Sequence, residues 1–314
     1  MYPIAVIGSL NIDMVVRIPR TPNRGETLCG TDFHLIPGGK GANQAVASSC
    51  AGVATKMFGY VGDDTFGRTL RSSLTSSGVD TTHVFATSAF PTGIATILVE
   101  NNGENRIIII PGANNQVSPA YINEIWKHIA QSSLILLQHE IPLETVHHII
   151  QRANQDRIPV ILNAAPYYPI PSRIMSKISV LVVNETEANA LSSISITGYR
   201  TAMDAAIVMC QLGVQTVIVT LGAMGSVLVN RDQCLYQPGI PVKVIDSTAA
   251  GDTFVGGYAS ALLDGKNIPA ALHYAAVAAT MTVTRLGAQS SIPSKKEVLE
   301  FINNQELPQP VSIT

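Results

Sequence analysis

Short β-branched runs recur along the whole 314-residue chain, each separated from the next by helical periodicity, and they constrain its fold more than any other feature. Ile4 to Ile7, Lys56 to Val61, Leu134 to Leu137, Val160 to Leu162, Val180 to Val183 and Val217 to Thr220 are each short enough to be a buried strand. Ala42 to Ala51, Phe66 to Ser76, Leu143 to Asn154, Ala202 to Leu212 and Ile268 to Arg285 carry the helical pattern. The alternation predicts an α/β fold, a central and mostly parallel sheet flanked by helices in three layers. With 46% hydrophobic and 13% charged residues, the chain can fill such a core and is not disordered.

Two regions break the rhythm. Met14 to Leu35 and Thr92 to Ile110 read as hairpins, with turn signals at Pro22-Asn23-Arg24-Gly25 and Asn101-Asn102-Gly103. Paired beside the main domain, these insertions at about 14–37 and 91–112 would form a small β-sheet lid over a site. The α/β domain is expected over 1–305, and 306–314, with Pro308 and Pro310, as a poorly ordered tail.

A formal net charge of −2 and the lack of a long basic run leave no electrostatic footprint for nucleic acid or anionic lipid. The start lacks a basic leader and no stretch reaches the ~18 apolar residues of a membrane span, so a cytosolic protein is expected. Cys29, Cys50, Cys210 and Cys234 are far apart and read as reduced packing thiols. His139-Glu140 is not followed by a second ligating histidine, and all seven histidines read as structural or surface residues. Gly-x-Ser-x-Gly is absent and no Gly-x-Gly-x-x-Gly follows the first strand, which disfavours an α/β-hydrolase and an NAD site.

The chemistry is concentrated in Asp246-Ser247-Thr248-Ala249-Ala250-Gly251-Asp252-Thr253-Phe254, which follows a strand-like Val242 to Ile245 and opens a helical pattern. Small residues at Ala249, Ala250 and Gly251 let the backbone approach a ligand, and N–H groups at a helix start attract anions. Asp252 would set a carboxylate beside that anion hole, as phosphoryl transfer requires, or would simply cap the helix. Pro37-Gly38-Gly39-Lys40-Gly41-Ala42-Asn43-Gln44-Ala45 opens a second helix without P-loop spacing, and suits a polar, hydroxyl-bearing ligand such as a sugar. Asn11 and Asp13 could add hydroxyl partners on one face, although Asn-x-Asp is also a turn motif. Asn184-Glu185-Thr186-Glu187 follows a strand and could order the water shell of Mg2+ or cap a helix. Thr220-Leu221-Gly222-Ala223-Met224-Gly225 also follows a strand, where its glycines could border a nucleotide.

Together these segments resemble the ribokinase-like carbohydrate kinase family over residues 2 to about 303. The resemblance rests on Gly-Ser-Leu-Asn-Ile-Asp at 8–13, Gly-Gly-Lys-Gly-Ala-Asn-Gln at 38–44, Asn-Glu-Thr-Glu at 184–187, Thr-Ala-Ala-Gly-Asp-Thr-Phe at 248–254 and Gly-Ala-Gln-Ser-Ser at 287–291. It implies transfer of the γ-phosphoryl group of ATP to the 5-hydroxyl of D-ribose, Asp252 acting as base and the N–H groups of Ala249, Ala250, Gly251 and Asp252 stabilising the phosphoryl group. It further implies sugar contacts at Asn11, Asp13, Gly39, Lys40, Gly41, Ala42, Asn43 and Glu140. Nucleotide contacts are implied at Asn184, Thr220, Leu221, Gly222, Ala223, Gly225, Gly251, Asp252 and Ala276. Glu187 would help place Mg2+, and K+ would sit among Asp246, Thr248, Thr282, Arg285, Gly287 and Ser291, largely on main-chain oxygens. A homodimer through the lid, with Ile107 to Ile110 at the edge, is also implied. The sequence departs from the family pattern at Ala276, where His or Asn is common, and at His139, where an apolar residue is usual. A kinase for deoxyribose or another small sugar or nucleoside, and a catalytically silent sugar-binding protein, are the rival readings.

Overall fold

Ile4 and Val6 face one apolar cluster and Ala5 and Ile7 the other, so the first strand is buried on both sides and can only lie mid-sheet. In the computed structural model, which describes residues 3–100 and 104–314, that strand is β1 (Ile4–Ile7). The chain then leaves the core for β2 (Asn11–Ile18) and β3 (Asp32–Gly38) and returns through α1 (Lys40–Cys50), β4 (Thr55–Gly62), α2 (Thr65–Ser76) and β5 (Asp80–Thr87). A second excursion, β6 (Gly93–Glu100) and β7 (Asn105–Ile110), precedes α3 (Pro119–Ile129) and β8 (Leu134–Gln138). Regular alternation follows: α4 (Leu143–Gln155), β9 (Val160–Asn163), α5 (Ser172–Met175), β10 (Val180–Val183), α6 (Glu185–Ser192), α7 (Tyr199–Gln211) and β11 (Thr216–Thr220). β12 (Gly225–Asn230), β13 (Cys234–Pro238), α8 (Ala250–Leu263), α9 (Ile268–Val283), α10 (Lys295–Asn304) and β14 (Val311–Ser312) complete the chain.

The described residues form a large sheet in the order β14-β13-β12-β11-β10-β9-β8-β1-β4-β5. Pairing is parallel from β11 to β5 and antiparallel from β11 to β14. Helices α1, α2, α8, α9 and α10 cover one face and α3 to α7 the other, which is the predicted three-layer architecture. After β1 the chain builds outward through β4 and β5, then restarts on the other side at β8. The boundary between β1 and β8 is therefore the topological switch point, where a crevice opens beyond the strands' C-terminal ends.

The two excursions pair as expected into a separate sheet, β3-β2-β6-β7. Each is an antiparallel hairpin, and β2 and β6 join them in parallel register, Asn11 opposite Gly93. The turn expected at Asn101-Asn102-Gly103 lies outside the described residues.

Three expectations are corrected. The tail is ordered: β14 pairs with β13, and Gln237 Nε2 donates to Pro308 O at 2.9 Å, so the prolines lead into an edge strand. Val242 to Ile245 is irregular, with Val244 and Ile245 well exposed; its β-branched residues have no neighbouring strand to pair with. Cys29 is exposed and not a packing thiol, while all four cysteines are unpaired as expected.

Candidate active site

α1 begins where Gly39 adopts φ 89°, a left-handed turn that an L side chain adopts only with strain. A Cβ there would stand 2.7 Å from Asn11 N, and one at Gly41 would stand 2.6 Å from Ser9 N. The glycines of this segment thus serve first to press α1 against the loop leaving β1. Ala42, implied as a sugar contact, is fully buried in the core with its N–H given to Ser9 O, and so presents no surface to a ligand.

That close approach assembles a cluster around Lys40. Glu140, two residues past β8, accepts from Ser9 Oγ at 2.6 Å and from Lys40 N at 3.1 Å. Asn11 and Asp13 lie on the same face of β2, both buried, and Asn11 Oδ1 accepts from Asn114 Nδ2 at 2.8 Å. They sit in a strand, not in a turn. Burial pushes the Asp13 carboxyl up to about 7, Glu140 and Asp252 adding to the shift and Lys40 opposing it. Burial alone would depress the Lys40 ammonium, but Asp252, Glu140, Glu187 and Asp13 together hold it above its ordinary value.

Asp252 lies in the first turn of α8, after Ala249 at φ 60°. It is buried, and both of its oxygens are held: Oδ2 accepts from Asn43 Nδ2 and Oδ1 from Gln44 Nε2, each at 3.0 Å. Burial raises its pKa, while Lys40 and the two amides counteract that rise. Thr253 N donates to Ala249 O and Ala250 N to Ser247 O, so the turn is formed, and the N–H groups of Gly251 and Asp252 belong to those a helix cannot satisfy itself. Gly251 is exposed and a Cβ there would meet nothing within 4 Å. The carboxylate therefore sits beside open, amide-lined space, and its helix-capping alternative fails because Ala249 caps through its backbone alone.

A cleft of about 490 Å³ adjoins this turn, and of the residues assigned to the nucleotide by resemblance, Thr220, Gly222, Ala223, Gly225, Gly251 and Ala276 line it. Leu221 is buried behind it. The walls toward α9 are apolar, including Ile240, Val242, Phe254, Ala276 and Ala279, which suits one flat ring face. Asn184 and Glu187 make a capping box on α6: Asn184 Oδ1 accepts from Glu187 N, and Glu187 Oε2 from Asn184 N, each at 2.9 Å. The helix-cap reading is thus realised, leaving the second Glu187 oxygen outside the box.

Asp246 knits two loops together, accepting from Thr248 N at 2.9 Å and Thr248 Oγ1 at 2.6 Å, and from Gly287 N at 3.0 Å. The other predicted cation-site side chains point elsewhere. Thr282 Oγ1 donates to Ala278 O and pairs with Thr253 Oγ1, Ser291 Oγ donates to Ala288 O, and Arg285 turns to Glu297. Among the described residues no three His, Cys, Asp or Glu side chains form a metal cluster. Sequence reasoning missed Gln44, Gln138, Asn114 and Asn163. Gln44 adjoins the singled-out Asn43, but only the fold shows that both amides meet Asp252.

The model of the pfkB family of carbohydrate kinases matches residues 1–295. The ribokinase of Haemophilus influenzae is 38% identical over 301 residues, covering 96% of this chain and 98% of that protein. The deoxyribokinase of Salmonella typhi is 36% identical over 304 residues, covering 96% and 99%. The solved structure of Arabidopsis thaliana ribokinase, complexed with ribose and ATP, matches with a TM-score of 0.90 at 33% identity, over 95% of this chain and 98% of that one. Full-length agreement in both sequence and architecture, with the buried carboxylate and its amide-lined neighbourhood at the sheet's switch point, means that the chain belongs to the pfkB family of carbohydrate kinases.

Proposed function

We propose that this chain transfers the γ-phosphoryl group of ATP to the 5-hydroxyl of D-ribose, giving ribose 5-phosphate and ADP. The observation that carries the reading is Asp252: a buried carboxylate, oriented at both oxygens, at the N-terminal turn of a helix that borders the cleft. Asp252 takes the hydroxyl proton, the oxygen's electron pair forms the new O–P bond, and the bond from Pγ to the bridging oxygen breaks with its pair left on ADP. N–H groups of Ala249, Gly251 and Asp252 stabilise charge on the transferring group, while Ala250 N is given to Ser247 O. Burial keeps the Asp252 pKa raised, nearer the working pH, which suits a base. Asn11, Asp13, Lys40, Asn43 and Glu140 would hold the sugar hydroxyls, and the small sheet would close over them and exclude water.

Mg2+ fits Glu187 through water, since Asn184 N already occupies one carboxylate oxygen; the ion would neutralise phosphate charge. K+ fits the oxygen donors of the loops joined by Asp246, Thr248 and Gly287, where it would stiffen the backbone behind the anion hole. Four consecutive exposed isoleucines, Ile107 to Ile110, on the edge strand β7 support docking of a second copy through the small sheet, which sedimentation of Ile108→Lys would test. The cytoplasm is the proposed compartment, the four cysteines being unpaired.

Sugar-dependent ADP release, measured over pentoses and hexoses with Mg2+ and K+, tests the reading. D-ribose should give the highest kcat/KM, and no response to any sugar would sink it. A deoxyribose preference is the second reading, favoured by the deoxyribokinase relative, and the ratio of the two kcat/KM values decides.

A further inference from the structure

Gln44 follows Asn43 on α1, is fully buried, and belongs to none of the predicted binding sets. Its amide makes three hydrogen bonds that fix one another. Nε2 donates to Asp252 Oδ1 at 3.0 Å and to Asn163 Oδ1 at 3.2 Å, so both of its protons are used. Oε1 accepts from Gln138 Nε2 at 2.6 Å, and the flipped amide is excluded because it would set this oxygen against the Asp252 carboxylate. Gln138 ends β8 and Asn163 ends β9, so one side chain on α1 ties the first turn of α8 to the ends of two central strands.

We propose that Gln44 is a positioning residue for the phosphoryl transfer: braced by Gln138 and Asn163, it locks the rotation of the Asp252 carboxylate and holds it ready to accept a proton. The proposal rests on Asp252 being the base. With Asn43 alone, the carboxylate is held at one oxygen and free to rotate about the bond to its Cβ. Gln44, fully buried, supplies the second fixed point. Its N–H also favours the ionised carboxylate, as does Lys40 on the same helix, against the opposing charges of Glu140 beyond β8 and Asp13 on β2.

The test is the pH dependence of kcat and KM for Gln44→Met, Gln138→Met and the double variant, with Asp252→Asn alongside. Gln44→Met should lower kcat about 10- to 100-fold, the scale of a misplaced catalytic group, with KM for ATP within about twofold of wild type. The acid limb of kcat should move to higher pH, because the ionised base has lost a donor. Gln138→Met acts only through Gln44, so it should lose less, and the double variant should be no worse than Gln44→Met. Where Gln44→Met folds poorly, Gln138→Met leaves the Gln44 amide in place and removes only its brace, so its kcat should still fall and its acid limb should move the same way by less. A Gln44 that merely fills the core would lower stability and leave the acid limb in place. Additive losses, an unmoved limb, or a defect confined to KM overturn the proposal. Near-normal turnover by Asp252→Asn would overturn the base assignment itself; a crippled Asp252→Asn beside a normal Gln44→Met would overturn only the brace.

Discussion

Asp13→Asn isolates the electrostatics of the carboxylate cluster. Asp13 is 8% exposed, and burial, reinforced by Glu140 and Asp252 and opposed by Lys40, raises its pKa from 3.8 to about 7. The unfolded chain therefore releases this proton near pH 4, while the folded protein keeps it until about pH 7. Between those values the native state binds more protons, so stability falls as pH rises through the window. At about 1.36 kcal/mol per unit, the stretch from pH 5 to 7 is worth ~2.7 kcal/mol at full slope, and the flattening as the folded Asp13 carboxyl itself titrates near 7 brings it nearer 2 kcal/mol. The substituted amide has no proton to lose, so the variant's stability should decline less over that range by about this amount. Trp126, the one tryptophan and a buried one, reports urea unfolding at pH 5, 6, 7 and 8. Parallel stability curves for the two proteins, at equal denaturant slope, would refute the reasoning. In the proposed reaction the same change should raise KM for D-ribose and leave KM for ATP nearly unaltered.

Asp252→Asn should lower kcat by roughly 100- to 10,000-fold with ADP binding intact. Its melting temperature should hold or rise, since a raised native pKa makes the ionised carboxylate the costly form at neutral pH, and the unpartnered Asn43 Oδ1 can turn in to accept from the new amide; a lowered melting temperature counts against this account. Gly39→Ala forces a side chain into φ 89° against Asn11 N and should cost at least about 1–2 kcal/mol and weaken sugar binding; unchanged unfolding and KM would contradict it. Asp246→Ala frees Gly287 N and Thr248, so half-maximal activation should need more K+, and equal activity of wild type in K+ and Na+ would remove the cation proposal.

The core sheet was legible because parallel strands buried on both faces have no polar side to confuse: Ile4 to Ile7, Val180 to Val183 and Val217 to Val219 are apolar throughout. Val242 to Ile245 has three β-branched residues but Lys243 among them, and with no strand paired to it among the described residues it stays a loop. Tail residues Val311 and Ser312 fail the opposite way: too short and too exposed to carry a period, they become a strand because β13 offers unpaired backbone. In the site, residues singled out for small size or charge, such as Gly251, Lys40 and Asp252, stand out locally. Gln138 and Asn163 are each the last polar residue of an apolar strand, and their meaning comes from Gln44, 94 and 119 positions away.

The same long-range wiring limits how the small sheet can move. Only Gly8, Ser9 and Leu10 separate β1 from β2, which suggests a hinge there. Yet Leu10 N donates to Asn114 Oδ1, and Asn114 Nδ2 donates to Leu10 O and Asn11 Oδ1, all within a buried pocket of the core. Gly41 presses on Ser9 and Gly8 from the other side. Swinging the sheet about residues 8–10 would break these bonds and leave Asn114 buried without partners, at a cost of about 1–3 kcal/mol per group. Beyond Asp13 the burial of β2 falls off, from Met14 to an exposed Arg17. In the proposed reaction, then, closure is a bend of the distal strands over a root that stays put, and Asn11 and Asp13 belong to the rigid half of the site.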